Sequence, residues 1–85
     1  MCTLIAGKLP TSGSAKGPQG WYTLDQVYVG YDHPTHAPLE HALTLDFVNE
    51  AAGPHARVAV ELPRDEARAL AERILAALDE GAAHE

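Results

Sequence analysis

The sequence is poor in cysteine, in basic residues and in long apolar runs. Its single cysteine, Cys2, excludes an internal disulfide and any zinc finger built from several cysteines. Basic residues number 6 against 12 acidic ones, and because an acidic surface repels phosphate, we expect neither nucleic acid nor a membrane as a partner. A run of about 18 apolar residues, which a transmembrane helix needs, is missing. A secretory signal is missing as well, and we therefore expect a cytoplasmic protein.

The chain has room for one small domain. Its 85 residues are 46% hydrophobic, which is typical of a folded chain rather than a disordered one. We predict a single domain over residues 1–81 and a frayed tail over residues 82–85. In a core this small, a gain of about 25 cal/mol per Å² of buried apolar area nearly cancels an entropy cost of about 1.5 kcal/mol per ordered residue. We therefore expect a homo-oligomer, most simply a twofold dimer.

Hydrophobic periodicity predicts four strands followed by one helix. The predicted strands cover residues 2–9, 21–31, 43–48 and 57–62, and the last two alternate cleanly between apolar and polar positions. Turn formers over residues 11–20 predict a mobile loop, and Asp25 with Gln26 predicts a bulge or bend in the second strand. From Pro63 to a stop at Gly81, apolar residues recur every three or four positions. The predicted fold is α+β: a four-stranded antiparallel β-meander with the helix packed on one face (ββββα).

A histidine-rich connection between the second and third strands carries the main functional signal. His33, His36 and His41 lie there at H-x2-H-x4-H spacing, beside two prolines that stiffen the backbone. Imidazole binds zinc, iron and copper, and a rigid loop lowers the entropy lost when several side chains hold one ion. In a meander the start of the first strand lies at the same end of the sheet, so Cys2 is a candidate fourth ligand. The sequence therefore predicts a divalent transition-metal site, with zinc first and iron or copper as alternatives.

Neighbouring side chains leave the chemistry of this site open. Asp32 or Glu40 could replace a ligand and favour iron, or could orient the imidazoles by hydrogen bonds. Tyr31 would form a wall if the site holds a small-molecule ligand. An open coordination position would make the metal catalytic.

Two interpretations without a metal remain. In the first, the histidines only cap turns, and the chain is a non-enzymatic homo-oligomeric interaction module. The aromatic residues of the second strand would then form its interface: Trp21, Tyr22, Tyr28 and Tyr31. In the second, Glu40 and His41 act as an acid–base pair.

Several segments together resemble a known family. They are Gly20-Trp21-Tyr22, the run from Asp32 to Leu43 that reads DHPTHAPLEHAL, and Asp46-Phe47-Val48-Asn49, after a Met-Cys-Thr start. The chain resembles a family of short bacterial proteins of unknown function. The resemblance implies a small stand-alone protein and brings no activity with it.

Overall fold

The computed structural model describes residues 5–84 and has an α+β fold with one C-terminal helix. The fold class is confirmed, but the four-stranded meander is wrong, because residues 5–84 contain six strands in two antiparallel sheets. The strands are β1 (Ile5–Pro10), β2 (Ser14–Gly17), β3 (Gly20–Thr23), β4 (Gln26–Asp32), β5 (Ala42–Val48) and β6 (Arg57–Leu62). A 3-10 turn (Glu50–Ala52) follows β5, and helix α1 (Arg64–Ala82) ends the fold.

The main sheet has one apolar face. Its strand order is β1-β4-β5-β6, and directly paired residues such as Val29, Leu45 and Val60 lie on the same side. Side chains alternate between the two faces along each strand. All residues on this side of the four strands are therefore apolar or aromatic, except for one glycine. This apolar face consists of Ile5, Gly7, Leu9, Val27, Val29, Tyr31, Leu43, Leu45, Phe47, Val58, Val60 and Leu62. The opposite, polar face carries most of the charged side chains of these strands.

The second sheet is a hairpin where a mobile loop was predicted. β2 pairs with β3 across a two-residue turn, and Gly20 begins β3 with φ 110°, a conformation that glycine adopts without strain. The sequence of β2 lacks apolar alternation, so no local pattern predicts this strand. Its partner β3 anchors the hairpin to the main sheet, since the Tyr22 hydroxyl donates to the backbone carbonyl of Phe47 in β5. The predicted bend at Asp25 is present, and it separates strands of two different sheets.

The buried apolar residues lie away from the apolar face. Among residues 5–84 they are Leu24, Ala42, Val48 and Ala56. Ala42 and Val48 alternate with the apolar positions of β5 and therefore belong to the polar face. Ala42 lies at the end of the sheet that carries the histidine loop, and Val48 lies at the other end, where its carbonyl accepts from the backbone N–H of Asp25. The apolar face is left only half-buried by this chain.

Helix α1 covers the apolar face incompletely. None of the 19 residues from Arg64 to Ala82 is buried, so the helix packs on the sheet only in part within one chain. Ile74 is 50% exposed and Leu75 62%. Between α1 and the sheet lies an open groove of about 790 Å³, lined by side chains of both elements. Among residues 5–84, no helix is apolar enough over a sufficient length to cross a bilayer.

Gly30 lets three strands approach closely in the main sheet. A Cβ at this position would lie 2.8 Å from Thr44 Oγ1 and 3.0 Å from the carbonyl oxygen of Ile5. We expect Gly30→Ala to lower the free energy of unfolding by about 1–3 kcal/mol, the usual cost of overpacking. Chemical denaturation followed by circular dichroism measures this change.

Gly7→Ala is the matched control for this prediction. Gly7 lies in the neighbouring strand β1, and a Cβ there meets nothing within 4 Å. We expect Gly7→Ala to be at least as stable as the parent protein, because alanine costs less entropy in a strand. Equal stability of the two alanine variants would contradict the packing argument.

Candidate functional site

The histidine loop, residues 33–41, connects β4 to β5 and carries an aromatic stack at its base. Tyr31, near the end of β4, stacks on His41 with ring centroids 5.7 Å apart and planes 12° apart. On the other side, His41 stacks on His33, with centroids 5.0 Å apart and planes 17° apart. The loop closes on itself because β4 and β5 are neighbours, which brings its two ends together. Two of the three predicted histidine ligands are therefore adjacent.

The third histidine is not part of this stack. His36 lies at the exposed tip of the loop, and its backbone N–H donates to Glu61 Oε1 at 3.1 Å. Over residues 5–84, no three His, Cys, Asp or Glu side chains are grouped in a way that could hold a metal ion. Cys2 lies outside the described residues, and its role as a ligand stays a prediction.

The predicted orienting groups take other positions. Asp32 Oδ1 accepts from the backbone N–H of His33 at 2.7 Å, so this carboxylate shapes the start of the loop. Glu40 is exposed, and the acid–base pair of Glu40 with His41 stays a prediction. Tyr31 stacks on His41 and lines the apolar groove, and its role as the wall of a ligand site at the histidines stays a prediction.

Glu61 on β6 is the residue that anchors the histidine loop. Its Oε2 accepts from the backbone N–H of Thr35 at 2.6 Å and from the Thr35 hydroxyl at 2.9 Å. Its Oε1 accepts from the backbone N–H of Ala37 at 2.9 Å, as well as from His36. Bonds from the Ala37 and Thr35 amides to the charged form lower the Glu61 pKa from 4.5 to about 2, against a smaller opposing effect of burial.

Sequence reasoning missed this role of Glu61. The alternation of β6 predicts only that its side chain points outward, which it does. The carboxylate and its partners on the loop are about 25 positions apart, so no local pattern links them. They meet because β6 lies beside β5, into which the loop leads.

Further polar pairs fasten the same face of the sheet. Arg57 Nε donates to both carboxylate oxygens of Asp46, at 2.7 and 2.9 Å, and this pairing raises the pKa of the guanidinium. The Tyr28 hydroxyl donates to Glu50 Oε1 at 2.9 Å, and this hydrogen bond raises the tyrosine pKa. The first contact connects β6 to β5, and the second connects β4 to the 3-10 turn.

The four aromatic residues of the predicted second strand do not share one surface. Trp21 is 71% exposed on the hairpin, and Tyr22 anchors that hairpin to β5. Tyr28 lies on the polar face of the main sheet, whereas Tyr31 lies on the apolar one. An interface built from all four stays a prediction, although the break at Leu24 and Asp25 and the alternation of β4 place these side chains on different surfaces.

The groove is the second candidate site, and it is almost entirely apolar. From the sheet it is lined by side chains such as Val29, Leu43 and Leu45. From the helix it is lined by Leu70, Ile74 and Leu75, and also by three charged residues, Arg64, Arg68 and Glu72. A surface of this kind stabilises a protein only when another apolar surface covers it.

These features define a small α+β protein with an open apolar groove and an imidazole pair on a carboxylate-anchored loop. The chain belongs to the Family of unknown function (DUF6295), which it matches over residues 1–85. Comparisons with curated proteins and with solved structures give no match. The membership agrees with the expected likeness to a family without an assigned activity.

The Glu61 anchor predicts faster opening of the histidine loop when its charge is removed. In Glu61→Gln we expect the amide hydrogens of Thr35, His36 and Ala37 to exchange faster with solvent, because the side-chain amide offers one acceptor oxygen instead of two. Hydrogen exchange followed by NMR measures this rate. Glu40→Gln, a change at an exposed carboxylate of the same loop, should leave these amides unchanged; equal effects of both substitutions would argue against the anchor.

The same anchor predicts a dependence of stability on acid. A carboxyl group whose pKa falls from 4.5 to about 2 on folding stabilises the fold fully above pH 4.5, and this contribution is lost as pH falls toward 2. Between these values the parent's free energy of unfolding should fall more steeply than that of Glu61→Gln. Parallel slopes in denaturation series from pH 5 to pH 2 would contradict the prediction.

Proposed function

We propose that the chain is a self-associating protein module, a homodimer in which a second copy covers the groove between α1 and the apolar face. The observation that carries this proposal is the mismatch between apolar surface and burial. The chain presents a whole apolar sheet face and an apolar helix stripe, yet the helix buries no residue from Arg64 to Ala82.

The solvent-accessible surface area of the chain supports a second copy as the partner. A compact monomer of 9.1 kDa is expected to expose about 4,900 Å², from the scaling of surface with mass. The chain exposes 6443 Å², which is larger by about 1,500 Å² on that scale. Obligate homodimers bury on the order of 1,000–2,500 Å² per copy, so one further copy matches the excess.

The overall dimensions agree with this comparison. The radius of gyration is 14.4 Å, whereas a compact chain of this length has a value of about 12 Å. A second copy that fills the groove would give the pair the compactness that one chain lacks.

The chemistry of the groove favours a stable interface over a transient one. Obligate interfaces resemble a protein core divided in two, and the groove lining is aliphatic from both elements. Covering one leucine or isoleucine side chain contributes about 1.5–3 kcal/mol. In a twofold dimer each such residue contributes twice, because the same patch is used by both copies.

Leu75→Lys tests the proposed dimer. Leu75 is 62% exposed in the single chain, so lysine there should leave the monomer folded. At two copies per dimer, we expect dissociation to become about 100-fold easier or more, equivalent to about 3 kcal/mol. Sedimentation velocity over a concentration series measures the dissociation constant.

Ala76→Lys is the matched control. It introduces the same residue one position further along the helix, at an exposed position that does not line the groove. We expect its dissociation constant to equal that of the parent. A monomeric parent, or equal dissociation constants for the two lysine variants, would overturn the proposal.

A second candidate function is binding of a divalent transition metal, zinc in the first place, by the histidine loop. The stacked pair of His33 and His41 supports it, because two imidazoles already lie side by side at the end of the sheet. Two nitrogens that share a zinc ion lie within about 4 Å of each other, since each Zn–N bond is about 2.1 Å. Ring centroids 5.0 Å apart are compatible with that distance after a change of ring orientation. His36 and Cys2 remain the proposed additional ligands.

Elemental analysis of protein purified without a metal-affinity tag tests the metal proposal. We expect bound zinc in the parent, and at least tenfold weaker zinc binding in His33→Ala, His36→Ala and His41→Ala, because each substitution removes one ligand. His55→Ala, at the turn before β6, should bind as the parent does. Absence of metal from the parent together with no binding in a zinc titration would remove this candidate.

A further inference from the structure

We infer that the two copies exchange their C-terminal helices, so that α1 of each copy packs on the apolar face of the other. This inference rests on the proposed self-association and names its mode. In this arrangement the apolar face of each sheet is covered by α1 of the second copy, which takes the place of the chain's own helix.

The weak hold of α1 on its own sheet is the first argument. Leu75 and Leu78 are 62% and 65% exposed, although they belong to the apolar stripe of the helix. The apolar stripe of the helix is therefore only partly covered by its own sheet. Full contact with a partner's sheet would bury more apolar surface, and this gain favours the exchange.

The connection between β6 and α1 is the second argument. Pro63 alone joins Leu62 to Arg64, whereas strand-to-helix connections usually have about 2–6 residues. So short a connection holds the start of α1 next to the end of β6 of the same chain. The helix of a second copy has no such tether to this sheet and can lie flat on it.

The residue at this connection also suits a hinge. Proline holds φ near −60° in any conformation, and here ψ is 150°, an extended value. One change in ψ redirects the whole helix without breaking a side-chain cap, since Pro63 provides none. Short connections of this kind favour exchange of an element between identical chains.

An isotope-filtered NOE experiment distinguishes exchange from packing within one chain, and it needs no substitution. Carbon-13-labelled and unlabelled protein are mixed, unfolded together and refolded. We expect NOEs between the methyl groups of Ile74 or Leu75 and those of Val29 or Leu45 in the spectrum that selects contacts between chains. If a dimer forms and these NOEs appear only within one chain, the exchange is overturned while the proposed dimer stands. A monomeric parent would overturn both.

Complementation gives an independent test. We expect Leu45→Glu, on the sheet, and Ile74→Glu, on the helix, each to lose the dimer. Mixing them in equal amounts should restore a heterodimer, because exchange pairs the unchanged helix of one variant with the unchanged sheet of the other. A mixture of Ile74→Glu with Leu75→Glu, both on the helix, should restore nothing. Failure of the sheet–helix mixture to associate while the parent dimerises would overturn the exchange.

Discussion

A sheet with one apolar face and a helix with one apolar stripe are stabilised only when each is covered by another apolar surface. This requirement governs the whole molecule. The sheet presents its apolar residues in three paired rows across four strands, and α1 supplies one matching stripe. A connection of one residue, Pro63, joins the two, and an open groove of about 790 Å³ lies between them. The proposed dimer and the exchange of α1 both follow from that constraint.

On the polar face, by contrast, several charged groups have hydrogen-bond partners within the chain. The Glu61 carboxylate receives hydrogen bonds from Thr35, His36 and Ala37, and Arg57 pairs with Asp46. The histidine loop is therefore held over the strands by a charged anchor rather than by apolar packing. Tyr31 links the histidine loop to the apolar groove, because it stacks on His41 and also lines the groove. In the proposed dimer, contact at the groove would reach the imidazole pair through this one ring.

Sequence reasoning succeeded where the pattern was local. The alternation over residues 43–48 and 57–62 predicts β5 and β6 and the face of each residue, and the helical periodicity predicts α1 to within one residue at either end. It failed for β2, where Ser14 and Lys16 carry no apolar alternation and pairing with β3 makes the strand. The histidine cluster was found from composition, but only His33 and His41 stack, whereas Glu61 anchors the backbone beside His36.

By itself, the sequence determined the fold class, most of the strands, the helix and the segment in which histidines concentrate, because side-chain periodicity and turn formers act over a few neighbouring residues. The tertiary structure alone decided which histidines meet, that Glu61 holds their loop, and that α1 leaves its groove open. Each of these depends on distances between residues far apart in the chain. Such distances are set by strand order, register and the length of one connection, and no window along the sequence contains them.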